Sequence, residues 1–133
     1  MAFGLMDKSQ AIHRFWSGFG LNAYDENTVP DEALNQLMNE NVPYITYSVS
    51  TDSIDNVVNL YGILWYHSSS WAGISKKAEQ IADYLGLGGQ VIPLDSGYLW
   101  IARGTPFSQR MPEPENDTVR KIYINLQAEF LTR

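Results

Sequence analysis

The 133-residue chain predicts an α+β fold: a mainly antiparallel β-sheet packed on one face by one long helix, with an additional N-terminal helix. Three observations carry the prediction. Period-two alternation is clean over Ile122, Ile124, Leu126, Ala128 and Phe130, which marks a strand. Three- and four-residue steps join Trp71, Ile74, Ala78, Ile81 and Leu85, which marks the long helix. The order helix, strand, strand, helix, strand, strand, strand lacks the sustained βαβ alternation of a parallel sheet. The length suits a single domain over residues 1–133, since a chain of this size buries about 70% of its unfolded surface, and neither an internal repeat nor a second domain is visible.

Each element follows from local pattern. Leu5, Ile12, Phe15, Trp16 and Phe19 fall at helical spacings until Gly18 and Gly20 interrupt them, predicting a first helix. Residues 21–43 are polar and marked by Pro30 and Pro43, predicting a long loop with one short helical turn around Ala33, Leu34, Leu37 and Met38. Ile45, Tyr47 and Val49 alternate with Tyr44, Thr46, Ser48 and Ser50, predicting a half-buried strand. Thr51-Asp52-Ser53 predicts a turn. Val57 to His67 predicts a strand apolar on both faces, covered on both sides. Ser68-Ser69-Ser70 supplies N-cap residues for the 70–85 helix, and Gly86 ends it. Gln90 to Pro93 and Tyr98 to Arg103 predict short strands around an Asp95-Ser96-Gly97 turn. Gly104 to Asp117, with three prolines and few apolar residues, predicts a mobile segment ordered mainly by partners.

Composition narrows the function classes. Hydrophobic residues at 44% and aromatic residues at 13% argue for a packed core and against intrinsic disorder. Nine Lys and Arg against fifteen Asp and Glu give a net charge of −6, the wrong sign for general nucleic-acid binding. Cysteine is absent, which excludes disulfides, thiolate metal sites and a cysteine nucleophile. The first residues lack the basic and apolar regions of a signal peptide, and no apolar run approaches the ~20 residues of a membrane span, so a cytoplasmic protein without a membrane anchor is expected.

Candidate chemistry is sparse. His13 and His67 lie in no metal-ligand spacing. Ser68-Ser69-Ser70 adjoins His67 without a nucleophile elbow. Gly86-Leu87-Gly88-Gly89 follows a helix and precedes a strand, the reverse of a phosphate-binding loop. Asp25, Glu26, Asp31 and Glu32 lack the glycine and final glutamate of an EF-hand loop. Glu113, Glu115 and Asp117 sit among prolines and read as a solvated turn. No catalytic residue, cofactor or metal is therefore expected. Apolar surface is the unusual feature: Tyr61, Trp65 and Trp100 are expected to carry contacts between subunits.

The segments Tyr98-Leu99-Trp100-Ile101-Ala102-Arg103-Gly104-Thr105-Pro106-Phe107-Ser108-Gln109-Arg110-Met111-Pro112 and Arg120-Lys121-Ile122-Tyr123-Ile124-Asn125-Leu126-Gln127-Ala128-Glu129-Phe130 resemble the tail terminator family of long-tailed bacteriophages and prophages of Gram-positive bacteria. The resemblance extends more weakly through Pro43-Tyr44-Ile45-Thr46-Tyr47 and the 70–85 helix. It implies a structural protein, not an enzyme, that forms a six-fold ring on the finished tail tube, stops its polymerisation and offers the head-joining surface. The implied partners are further copies of the chain, the tail tube protein and a head-completion or connector protein. The implied location is the host cytoplasm during assembly and then the virion neck. On this reading Phe107 and Met111 anchor a partner-ordered segment, with Arg103 and Arg110 as its charged contacts. Asp25, Glu26, Asp31, Glu32, Glu113, Glu115 and Asp117 are candidates to line a channel that DNA traverses, where acids would not hold phosphates. Two other readings stand beside it: another neck or head-completion protein, and a small-molecule-binding domain with its site at Arg103, Ser108, Gln109 and Arg110.

Overall fold

The computed structural model describes residues 6–49 and 57–132. Nine elements follow one another: α1 (Lys8–Ser17), β1 (Asn22–Asp25), α2 (Asp31–Glu40), β2 (Tyr44–Tyr47), β3 (Val57–His67), α3 (Ala72–Leu85), β4 (Gln90–Pro93), β5 (Gly97–Met111) and β6 (Val119–Thr132). The strands form one sheet in the order β1-β2-β3-β6-β5-β4. β1 runs parallel to β2 and the other neighbours are antiparallel. The class is α+β, but the expected arrangement of one long helix packing an antiparallel sheet is corrected: the sheet is mixed and curled, and three short helices share its two faces.

The inner face carries the main core. Leu60 and Leu64 of β3, Leu99 and Ile101 of β5, and Ile122, Ile124, Leu126, Ala128 and Phe130 of β6 meet Ile12, Phe15 and Trp16 of α1 and Ile74, Ala78, Ile81 and Leu85 of α3. Asp7 opens α1 with a capping box: its carboxylate accepts from Gln10 N at 2.8 Å while Gln10 Oε1 accepts from Asp7 N at 3.0 Å. The Leu5 start expected for this helix lies outside the described residues, as does the Thr51-Asp52-Ser53 turn. Trp16 lies flat against β3 at Gly62, the one position there without a side chain to displace it. α3 ends at Gly86, φ +62°, a conformation that favours glycine. At its start the serines act one step early. Ser70 Oγ accepts from Ala72 N at 3.0 Å and Ser68 Oγ from Ser70 N at 3.1 Å, shaping the approach, while Trp71 occupies the cap position without a side-chain bond.

Three segments depart from the sequence reading. Residues 21–43 are not a loop but contain β1 and α2, whose buried stripe is only Ala33 and Leu37, too narrow to stand out as a period. β2 is buried at all four positions: Ile45 and Tyr47 face the inner core, and Tyr44 and Thr46 are covered on the other side. β5 does not end at Arg103. Its ladder shifts register between Arg103 and Ser108, where Pro106 has no N–H to offer, and then resumes with Ser108 opposite Ile124 and Met111 opposite Lys121. Residues 104–111 are thus strand rather than a segment waiting for a partner. Among the described residues no helix is long and apolar enough to cross a membrane.

Candidate functional site

α2 covers the outer face of the sheet only at the β1–β3 end. Its Ala33 and Leu37 pack on Tyr44, with Tyr24, Val29 and Trp65 around them. Asp31 and Glu32 occupy its first turn, where carboxylates suit the helix dipole, and Asn41 closes it in the left-handed conformation at φ 54°. The Asn41 side-chain oxygen then accepts from His67 Nδ1 at 2.7 Å, and His13 Nδ1 is hydrogen-bonded with the Tyr47 hydroxyl at 2.8 Å, so both histidines are tied into the scaffold.

Beside α2 the outer face is a ladder of aromatic rings. Tyr24 meets Tyr44 edge-on at 5.9 Å, and Tyr44 stacks on Trp65 at 5.6 Å and 10°. The Trp65 Nε1–H donates to Thr46 Oγ1 at 3.0 Å. Lys121 Nζ lies 5.0 Å from the Trp65 ring centre and pairs with Glu113 at 3.1 Å. Tyr61 stacks on Tyr123 at 5.2 Å, and its hydroxyl donates to Glu26 Oε1 at 2.7 Å. That hydrogen bond, with smaller contributions from burial and from the charges of Glu26 and Tyr123, pushes the Tyr61 phenol up to about 12. Burial, then the neighbouring Tyr24, raises Tyr44. Between α2 and β3 this leaves a groove of about 620 Å³, with Leu34, Ile63 and Trp65 on its walls and Glu26 and Asp31 at its rim.

The groove thus brings together Tyr61, Trp65, Glu26 and Asp31 from the residues singled out in the sequence. The others go elsewhere. Asp25 accepts from Asn27 N at 2.9 Å in a local turn, and Glu32 is exposed on α2. Trp100 donates to Gly88 O at 3.0 Å at the β4–β5 end. Arg103 is tied to the scaffold: its Nε and Nη2 donate to Ala82 O at 3.1 and 2.7 Å, holding the last turn of α3. Arg110 lies 4.6 Å from the Trp71 ring centre, with Arg120 at 5.1 Å from the same ring. Phe107 packs against the inner core, and Met111 is half-buried opposite Lys121. Glu113 is tied to Lys121, whereas Glu115 and Asp117 are exposed between β5 and β6. The place offered for a small molecule is divided: Arg110, Ser108 and Phe107 line a cleft against α3, and Arg103 and Gln109 are not among its lining residues.

A second groove of about 620 Å³ escaped the sequence reading. It lies at the β4 edge between the ends of α1 and α3, where Phe15, Phe19, Tyr84 and Val91 form its apolar walls and Arg14 its one cation. Tyr84 and Val91, 50% and 56% exposed, fall off the helical and strand stripes that mark a core, which is the signal that could have found it. Among the described residues no group of three His, Asp or Glu is placed to hold a metal ion. No protein-family model matches the chain, and no curated protein matches it.

Proposed function

We propose that the chain is a structural subunit of the tail terminator type, closing with further copies into a ring that caps a tail tube, ends its polymerisation and receives the head-completion or connector protein. It acts without a cofactor, in the host cytoplasm during assembly and then in the virion neck. The observation that supports this reading is the half-covered outer face of the sheet. α2 shields only one end of it, and beyond α2 an aromatic groove and Ile63 are left against solvent, which is the setting in which aromatic residues carry interface energy. Polar groups elsewhere are spent on scaffold: Arg103 on α3, and both histidines on side chains of other segments. Of the acids proposed for the channel, Glu32, Glu115 and Asp117 are exposed, outside the one ion pair among the described residues and clear of the α2 groove, and these three would face passing DNA.

Sedimentation velocity at micromolar concentration and negative-stain images with purified tail tubes test the reading. Rings, or tubes of fixed length capped at one end, are the expected result. A chain that stays monomeric both alone and with tubes refutes it, and binding to portal complexes in place of tubes would assign the chain to head completion.

A further inference from the structure

The two grooves differ in a way that neither can resolve by itself. The groove beside α2 is lined by two carboxylates, Glu26 and Asp31, and by no Lys or Arg. Its charge reflects the sequence around it: from residue 15 to residue 75 the chain has seven acids and not one Lys or Arg. The groove at the β4 edge is the converse. Arg14 lines it and no carboxylate does; the guanidinium reaches only Met6 Sδ, at 3.9 Å, and forms no ion pair among the described residues. Large exposed apolar side chains accompany each groove, Leu34 at 50% beside α2, and Tyr84 and Val91 at the β4 edge with Leu87, 98% exposed, just beyond α3. The two grooves belong to opposite ends of the strand order, the β1–β3 end and the β4 edge.

We infer that these grooves are the two halves of one head-to-tail contact, in which Arg14 and the Tyr84–Val91 rim of one copy seat in the Glu26–Asp31 groove of the next. The inference rests on the ring reading and names the surfaces that would build the ring. The occupant is a second copy because each groove offers what the other lacks: a cation against two acids, and exposed apolar rims on both sides that can cover each other. Two-fold pairing of either groove with itself would set acid against acid or Arg14 against Arg14, and like charges brought together at an interface are strongly disfavoured. A contact between unlike patches is heterologous, and it closes into a ring when its rotation permits. Tyr61 belongs to the same device. By donating to Glu26 it fixes one carboxylate at the rim without neutralising it.

The test is a charge swap in the full-length chain, read by sedimentation equilibrium at physiological salt, or by tube capping where the free chain is monomeric. Arg14→Glu and Asp31→Lys should each weaken self-association by about tenfold or more, since each sets like charges face to face. An equimolar mixture of the two variants, and a chain carrying both substitutions, should return to within about threefold of the original, because every contact again joins opposite charges. A misfolded variant could not be rescued in this way. Val91→Ser provides a charge-neutral check and should weaken association as well. Wild-type association with single variants unaffected, or with no rescue by the swap, overturns the proposed contact and leaves the ring reading standing. A wild-type chain that assembles neither alone nor on tubes removes the ring reading and this contact with it.

Discussion

Gly62→Ala should destabilise the protein although it adds a single methyl group. Gly62 sits in β3 between Tyr47 of β2 and Ile124 of β6, and a Cβ built there would lie 2.6, 2.8 and 2.9 Å from Cη2, Cζ3 and Cζ2 of Trp16. Carbon atoms pack at about 3.5–4.0 Å, so the indole would have to retreat by almost 1 Å. Trp16 is fully buried among Ile12, Phe15 and the inner strands, where interiors are packed as densely as organic crystals. Overpacking of this kind costs about 1–3 kcal/mol, whereas the entropy gained by replacing a glycine returns only about 0.4–1 kcal/mol. The clash wins, by about 1–2 kcal/mol, which for a domain of this size lowers Tm by roughly 3–8 °C. Trp16→Phe in the same chain should relieve it, since the smaller ring withdraws the atoms in conflict and also removes the buried Nε1–H, which has no acceptor among the described residues. The double variant should therefore be more stable than the sum of the single effects predicts, by about 1 kcal/mol or more. Urea unfolding followed by circular dichroism measures all four species. A Gly62→Ala chain within about 0.5 kcal/mol of the original, or strictly additive substitutions, would show that Trp16 does not rest on Gly62.

Arg103→Met should cost about 1.5–3 kcal/mol in urea unfolding, because Ala82 O loses both charged donors and α3 has no basic residue of its own in its last turn. Tyr61 links stability to alkaline pH. Its phenol is pushed up to about 12 from the ordinary 10, so its contribution is fully present below pH 10 and is lost as the pH rises through 12; Tyr61→Phe should flatten that fall in a pH series of thermal melts and remove one phenolate absorbance that titrates near 12. On the proposed ring reading, a chain carrying Glu115→Lys and Asp117→Lys should still form rings, yet particles built with it should deliver DNA poorly, and unchanged infectivity would take this loop out of the proposed channel.

Much of the fold is legible in the sequence wherever one residue in two or in three to four is apolar over a long enough run. β6 and α3 are such cases: each buries one continuous stripe, Ile122 to Phe130 and Ile74 to Leu85. α2 is not, because two buried residues in ten leave no period to detect, and Pro30 gives it no side-chain cap. β1 is four residues long and has only Ala23 buried, so its parallel pairing with β2 is written in no local pattern. The length of β5 was hidden for a different reason. Pro106 and Gly104 read as breakers, and the register does shift there, but the strand resumes beyond the irregularity against the same partner, β6.

The candidate site divides along the same line. Tyr61 and Trp65 stand out in the sequence because β3 is apolar on both faces, and in the structure α2 covers only part of the outer one. What no one-dimensional pattern contains is the pairing of distant groups that decides each residue's work. Glu26 reads as one acid in a polar loop until Tyr61, thirty-five residues on, donates to it. Arg103 reads as a surface cation until the end of α3, twenty-one residues before it, takes both of its hydrogen bonds. Arg14 shows the converse: in sequence it is a favourable charge in the last turn of α1, and only the approach of β4 and α3 turns it into the single cation of an apolar groove. Charges whose partners lie within the fold are consumed by it, and charges left at the rim of an apolar groove remain for another molecule. On that criterion Arg14 and Asp31, whose charges no partner among the described residues takes up, are the first residues to vary in testing the proposed contact.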